Sequence, residues 1–140
     1  MIDIESEVFD YVAKGIRAVY PSAFVVGEYT ETPAKFPAVT IVEADNRVFE
    51  QMRTTRIENA VTVMYQAEVY SNKASGKKLE AKAIATTMDS LFTELGFTRT
   101  FREQIPNLKD ATIYRIVCRY EGIVGEANES GKYLIYQNNT

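Results

Sequence analysis

The feature that most constrains this chain is the strand-like run from Ile57 to Tyr70, which alternates from Val61 onward. Val61, Val63, Tyr65, Ala67 and Val69 fall on one side, and Thr62, Met64, Gln66, Glu68 and Tyr70 on the other. Successive side chains of an extended strand point to opposite faces, so a period of two lays down one apolar face and one mostly polar face. A strand buried on both faces reads instead as a continuous apolar run. The alternation therefore calls for an antiparallel sheet with a single covered side, and another part of the chain must supply the cover.

Two segments with helical periodicity can supply it. Val8, Val12, Ile16 and Val19 recur at four-four-three spacing, with Phe9 and Tyr11 widening the stripe. Asp3, Glu5 and Glu7 place negative charge at the start of this helix, where it complements the dipole, and Pro21 ends it at Tyr20. A second helix is predicted from Gly76 to Leu95, with Ala81, Ile84, Met88, Leu91 and Leu95 as its stripe and Phe92 alongside. Ser75 suits its N-cap, and Gly96 followed by Phe97 suits a glycine C-cap with a hydrophobic contact.

Further strands are predicted over Phe24–Tyr29, Phe36–Glu43, Phe97–Arg102, Thr112–Val124 and Tyr133–Tyr136, with Pro37 tolerable near a strand start or on an edge. In the Thr112–Val124 strand, Tyr114, Ile116, Cys118 and Tyr120 share one side, with Arg115, Val117 and Arg119 on the other. Glu126–Lys132 reads as a polar turn. At 140 residues the chain is one domain, residues 1–140. The order of helix, strands, helix, strands with short connections predicts an α+β two-layer sandwich. Its mostly antiparallel sheet has about five to six strands, and both amphipathic helices lie on one face.

Chemistry is bounded by what is missing. There is no His, no Trp and one cysteine, Cys118. Ser–His–Asp triads, Cys–His pairs and imidazole bases are excluded, and one thiolate cannot build a Cys/His zinc site. An intrachain disulfide is impossible, which fits a reducing compartment or a virion assembled in one. A net charge of −3 gives no global attraction to nucleic acid or anionic lipid. The acidic start, Met1 to Glu7, lacks the basic segment of a secretory signal, and no apolar window spans a membrane.

Individual motifs favour structural roles. Gly76-Lys77-Lys78 opens a helix, but a P-loop needs an earlier glycine, a hydroxyl after the lysine and a preceding parallel strand. The carboxylates Glu43, Asp45, Glu58 and Glu68 sit in no glycosidase or nuclease motif and are expected to face solvent. Cys118, on a tyrosine- and isoleucine-rich face, is expected in the core. Arg99, Arg102, Arg115 and Arg119 alternate on two strands that can pair, beside Tyr114, Tyr120, Phe97 and Phe101. That resembles an RNA-binding sheet superficially, yet pairing with carboxylates within the sheet or across a subunit boundary fits an acidic domain better. No residue is assigned a catalytic, cofactor-binding or metal-ligating role, and no cofactor is expected.

The stretch Asp45–Glu58 reads as a long hairpin arm or loop. It mixes both signs of charge with Phe49 and Met52 as isolated apolar anchors. A polar insertion this long in a compact domain suggests a function, and its composition suits a self-complementary interface. Arg47, Phe49, Met52, Arg53 and Arg56 are the candidate contact residues.

The runs Tyr65-Gln66-Ala67-Glu68-Val69-Tyr70-Ser71-Asn72, Gly76-Lys77-Lys78-Leu79-Glu80-Ala81, Leu95-Gly96-Phe97-Thr98-Arg99 and Tyr114-Arg115-Ile116-Val117-Cys118-Arg119-Tyr120 together resemble the tail-terminator, or tail-completion, proteins of long-tailed bacteriophages and prophages. The likeness covers the whole chain and is best from Val61 to Val124. The resemblance implies an α+β domain that assembles as a hexameric ring, caps the tail tube, and docks to the head-completion or connector protein. It implies a virion location in the tail or neck, assembly in the bacterial cytoplasm, no enzymatic activity, no membrane partner, and nucleic acid met at most through the ring lumen. The alternative from another class is a small-ligand- or nucleotide-binding α+β domain with a pocket between helices and sheet.

Overall fold

The structure, a computed structural model, describes residues 2–48, 60–127 and 133–136. The elements are α1 (Glu5–Val19), β1 (Phe24–Val26), β2 (Ala38–Val48), β3 (Ala60–Ser71), α2 (Lys77–Glu94), β4 (Thr98–Gln104), β5 (Tyr114–Ala127) and β6 (Tyr133–Tyr136). One sheet runs β1-β2-β3-β5-β4, with β6 pairing β5 beyond the end of β4. Every pairing is antiparallel except β1 with β2. The chain is thus an α+β fold with two helices packed on a mostly antiparallel sheet, as its pattern requires.

The alternating strand is the centre of the sheet. Val61, Val63, Tyr65, Ala67 and Val69 of β3 all enter the main core, with Val39 and Ile41 of β2 and Ile116, Cys118, Tyr120 and Val124 of β5. The cover comes from Val8, Val12, Ala13 and Ile16 of α1 and Ala81, Ile84, Ala85, Met88 and Phe92 of α2. Two stripe positions differ from expectation on α1: Val19 and Tyr11 are exposed, because the last turn and one flank of the helix lie outside its packing partners. On α2, Phe92 is fully buried and Leu91 and Leu95 form the rim. The Phe92 ring stacks on Tyr120 at 4.2 Å and meets Phe97 edge-on at 5.9 Å, so the larger apolar surface takes the centre.

Both ends of α2 have physical causes. Gly96 adopts φ 96°, its N–H bonds to Thr93 O at 2.9 Å, and Phe97 N–H bonds to Phe92 O at 3.0 Å. These two bonds, with Phe97 buried against Phe92, make the glycine C-cap expected from the sequence. At the start, Gly76 rather than Ser75 holds the N-cap position, in the left-handed region at φ 90°, with no side-chain cap.

Three further expectations are corrected. The first strand stops at Val26 instead of Tyr29. The second begins at Ala38, after Pro37, and continues past Glu43 through a bulge to Val48, so Asp45–Val48 is strand, paired with Val61–Met64, not loop. β5 likewise continues to Ala127, into the segment read as a turn.

The outer face of the sheet is not uniformly bare. Ala38, Tyr70 and Ile113 form a second buried cluster there, with Phe24 and Phe36 against it. The Tyr70 hydroxyl donates to Thr30 O at 3.0 Å, and Asn107 Nδ2 donates to Glu31 O at 2.9 Å, tying two connections over one end of that face.

Candidate functional site

Of the five expected contact residues, only Arg47 lies among the described residues; Phe49, Met52, Arg53 and Arg56 lie outside them. Arg47 sits near the end of β2, is exposed, and pairs with Asp45 two residues earlier at 2.5 Å. β1 pairs with β2 only over Ala38–Thr40, so from Ile41 onward that edge of β2 has no strand beside it among the described residues. Its β3 partners stay buried through Val61 and Val63, while Asn46, Arg47 and Val48 are exposed. The described end of β2 is therefore a strand anchored on one side by β3, with the Arg47–Asp45 pair at the edge of the sheet.

The arginine expectation separates residue by residue. Arg115 Nε donates to Glu68 Oε1 at 2.7 Å, and Arg99 lies 3.4 Å from Asp89. Arg119 takes no carboxylate: Nε donates to Gln66 Oε1 at 3.2 Å and its guanidinium lies 4.9 Å from the centre of the Phe101 ring. Arg102 has no ion pair among the described residues. Of the carboxylates expected to face solvent, Glu68 is 2% exposed and corrects the expectation, Glu43 and Asp45 are partly buried, and Glu58 lies outside the described residues. The alternate position of Glu68 points to the outer face correctly, but the connections that cover that face are distant in sequence.

The remaining chemical candidates lose their roles to geometry. β3, which precedes Gly76, is antiparallel to both neighbours, so the lysines that follow do not sit in a P-loop arrangement. Lys77 Nζ donates to Thr112 O instead. Burial pushes the Cys118 thiol up, outweighing the Tyr120 hydrogen bond and the Arg102 and Arg99 charges that act the other way. A nucleophilic thiol needs the opposite shift. Burial also raises Tyr65 and Tyr120, whose hydroxyls donate to Glu43 and Asp89 at 3.2 and 3.1 Å. Both tyrosines stay neutral donors: Tyr65 ties the aromatic core to Glu43 of β2, and Tyr120 ties it to Asp89 of α2.

Several depressions open on the surface of the described residues. On the outer face, Tyr29, Glu31, Tyr70, Ile105, Asn107 and Arg115 line a cleft of about 360 Å³, at the lower end of the size range for small-ligand sites. At the β4 edge, Lys78 and Lys82 of α2 face Arg102, Gln104 and Tyr114 across an open groove of about 430 Å³. At the opposite edge, Glu5, Ser6, Phe9 and Asp10 of α1 border Gly27 and Ile41 around a groove of about 260 Å³. Charge complementarity between the last two is not visible in sequence, because it depends on which strands become edges.

No protein-family model matches this chain, and no curated protein matches it. No helix among the described residues is long and apolar enough to cross a membrane.

Proposed function

We propose that this chain is a non-enzymatic structural protein of a long-tailed bacteriophage or prophage, of the tail-terminator kind. It caps the tail tube, stops tail polymerisation and joins the tail to the head-completion or connector protein by closing into a ring. Head-to-tail contacts that close by rotation end growth, whereas contacts that do not close propagate a filament. The observation that carries this reading is the exposed end of β2. A helix-backed antiparallel sheet anchors an eleven-residue β2 whose far end, Asn46–Val48, is exposed. An exposed strand end on such a scaffold suits contact with another protein, and the resemblance of the Val61–Val124 region to tail terminators supports the same reading. Virion location and assembly in the bacterial cytoplasm follow from the same reading. Sedimentation velocity of the purified protein, alone and with tail tubes, tests it: co-sedimentation with tubes supports the role, and a protein that never binds tubes or connector refutes it.

The outer-face cleft favours a second reading, a small-ligand- or nucleotide-binding domain. A ligand that fills it raises the melting temperature by mass action, so a metabolite screen by thermal shift separates the two.

A further inference from the structure

We infer that the two edge grooves are complementary halves of one contact, and that the occupant of each is a second copy of this chain: the acidic groove beside α1 and β2 of one copy receives the basic groove beside α2 and β4 of the next. The inference rests on the ring reading above and specifies its contact surfaces.

The basic groove gathers three cations from two elements. Lys78 and Lys82 lie one turn apart on α2, and Arg102 faces them from β4, with Tyr114 and Gln104 between. None of the three makes an ion pair with a described residue, and Glu103 is the one acid on the groove's rim. Lys78, Lys82 and Arg102 are all exposed. Among the described residues β4 ends the strand order, and six of its seven residues are exposed.

The acidic groove is the counterpart at the other end of the strand order. Glu5 and Asp10 line it, Asp3 and Glu43 are hydrogen-bonded to Glu5, and Glu7 is exposed in the same first turn of α1. None of these five makes an ion pair with a described residue. Glu43 N–H donates to Glu5 Oε2 at 3.0 Å along the stretch of β2 that β1 leaves uncovered. Glu43 is pushed above the usual carboxylate range, by burial first and then by the charges of Glu5 and Asp3, against hydrogen bonds from Tyr65 and Asn46 that lower it. The cations on the bordering elements are Lys14 and Arg17 of α1, the latter donating to Val25 O at 3.2 Å, and Arg47 of β2, which Asp45 already holds.

A domain with net charge −3 thus separates its surface charge between the two sides of one sheet. A surface patch that meets a different patch on an identical copy gives a heterologous contact, the kind that builds rings. Exposed ion pairs are individually weak and screened by salt, so the contact is weak in solution and dependent on ionic strength. That suits a subunit that remains dispersed until a tube presents several copies side by side.

The contact is read directly with a water-soluble carbodiimide, which joins a carboxylate to a lysine amine with loss of water. Equal amounts of ¹⁴N and ¹⁵N protein are mixed at low salt, cross-linked and digested. Mixed-isotope peptide pairs joining Glu5, Glu7 or Asp10 to Lys78 or Lys82 are expected, in a ladder that extends past the dimer and falls several-fold at high salt. Within one copy these residues are held apart, because Tyr11 pairs with Glu94 at the far end of α2. The variant K78E/K82E and the variant E5K/D10K are each expected to lose the ladder while keeping the wild-type circular dichroism spectrum, with E5K/D10K melting somewhat lower because it removes the Glu5 contact with Glu43 N–H and the favourable charge at the start of α1. Mixing the two restores it, since each supplies the edge charge that the other lacks. Intermolecular links confined to other surfaces, no links at millimolar protein, or retention of duplex DNA by the basic groove without copy-to-copy links would each overturn the inference. If K78E/K82E still caps tail tubes, the inference fails while the tube-capping role stands. If the ladder forms but tubes are never bound, the contact stands and that role fails.

Discussion

Replacing Arg115 by Met is the sharpest perturbation of this fold that leaves the main core untouched. Glu68 is 2% exposed and the Arg115 side chain 18% exposed, so the pair is held almost entirely out of water. Arg115 Nε lies 2.7 Å from Glu68 Oε1, a second guanidinium nitrogen contacts the same oxygen, and Gln66 Nε2 lies 3.4 Å from Oε2. Arg115 is raised: burial acts to lower it, and the Glu68 hydrogen bond and charge outweigh that effect. Removing one partner of such a pair strands a buried charge and costs about 3–5 kcal/mol, whereas replacing both with apolar residues of similar volume is often neutral or stabilising. R115M should therefore lose about 4 kcal/mol, a large share of the roughly 5–15 kcal/mol available to a domain. That corresponds to about 10–15 °C in Tm for a chain of this length. The double variant E68M/R115M should recover most of the loss. Urea unfolding followed by circular dichroism measures both, with the shift in midpoint at constant slope as the readout. A loss under about 1 kcal/mol for R115M, or a double variant as unstable as the single one, would refute the reasoning.

Three further outcomes follow from the same structure. A Cβ at Gly122 would stand 2.7 Å from the Phe97 ring, and one at Gly15 would stand 2.4 Å from a Leu91 methyl. Gly122→Ala should cost about 1–3 kcal/mol, because Phe97 is locked in the aromatic core, while Gly15→Ala should stay within about 1 kcal/mol of wild type, since half-buried Leu91 can turn and the helix gains propensity; thermal melts compare them. The Thr40 hydroxyl is buried without a hydrogen-bond partner among the described residues, so Thr40→Val should raise stability by about 1 kcal/mol in urea titrations, and a loss would contradict the assignment. Glu43 is raised in the folded state, so its stabilising contribution is fully present below its unfolded value near 4.5 and is lost as pH rises through the folded value. Glu43→Gln should flatten stability against pH just above 4.5 and raise it at pH 7, as melts across that range would show.

What was legible in the sequence is what periodicity encodes. The β3 alternation named the core face of the central strand residue for residue, and the Gly96-Phe97 pair marked the end of α2. The bulge after Glu43 hid the rest of β2, because an extra residue breaks the period of two just where the chain turns polar. The alternation puts Glu68 and Tyr70 on the correct face but carries no sign of their burial, since the cover comes from residues 30–36 and 107–113, brought there by tertiary structure alone. The opposed grooves were illegible for a related reason. Acidic residues at the start of α1 and lysines at the start of α2 are ordinary helix-surface features until the strand order places them at opposite edges.

The claim at the centre of this account is that the protein ends a growing tube through surfaces that fit other proteins. Polymerising a tail-tube protein with and without it, and measuring tube lengths by negative-stain electron microscopy, addresses that claim most directly. The account predicts shorter tubes, each bearing one ring at a single end. An unchanged length distribution with bare ends would contradict it.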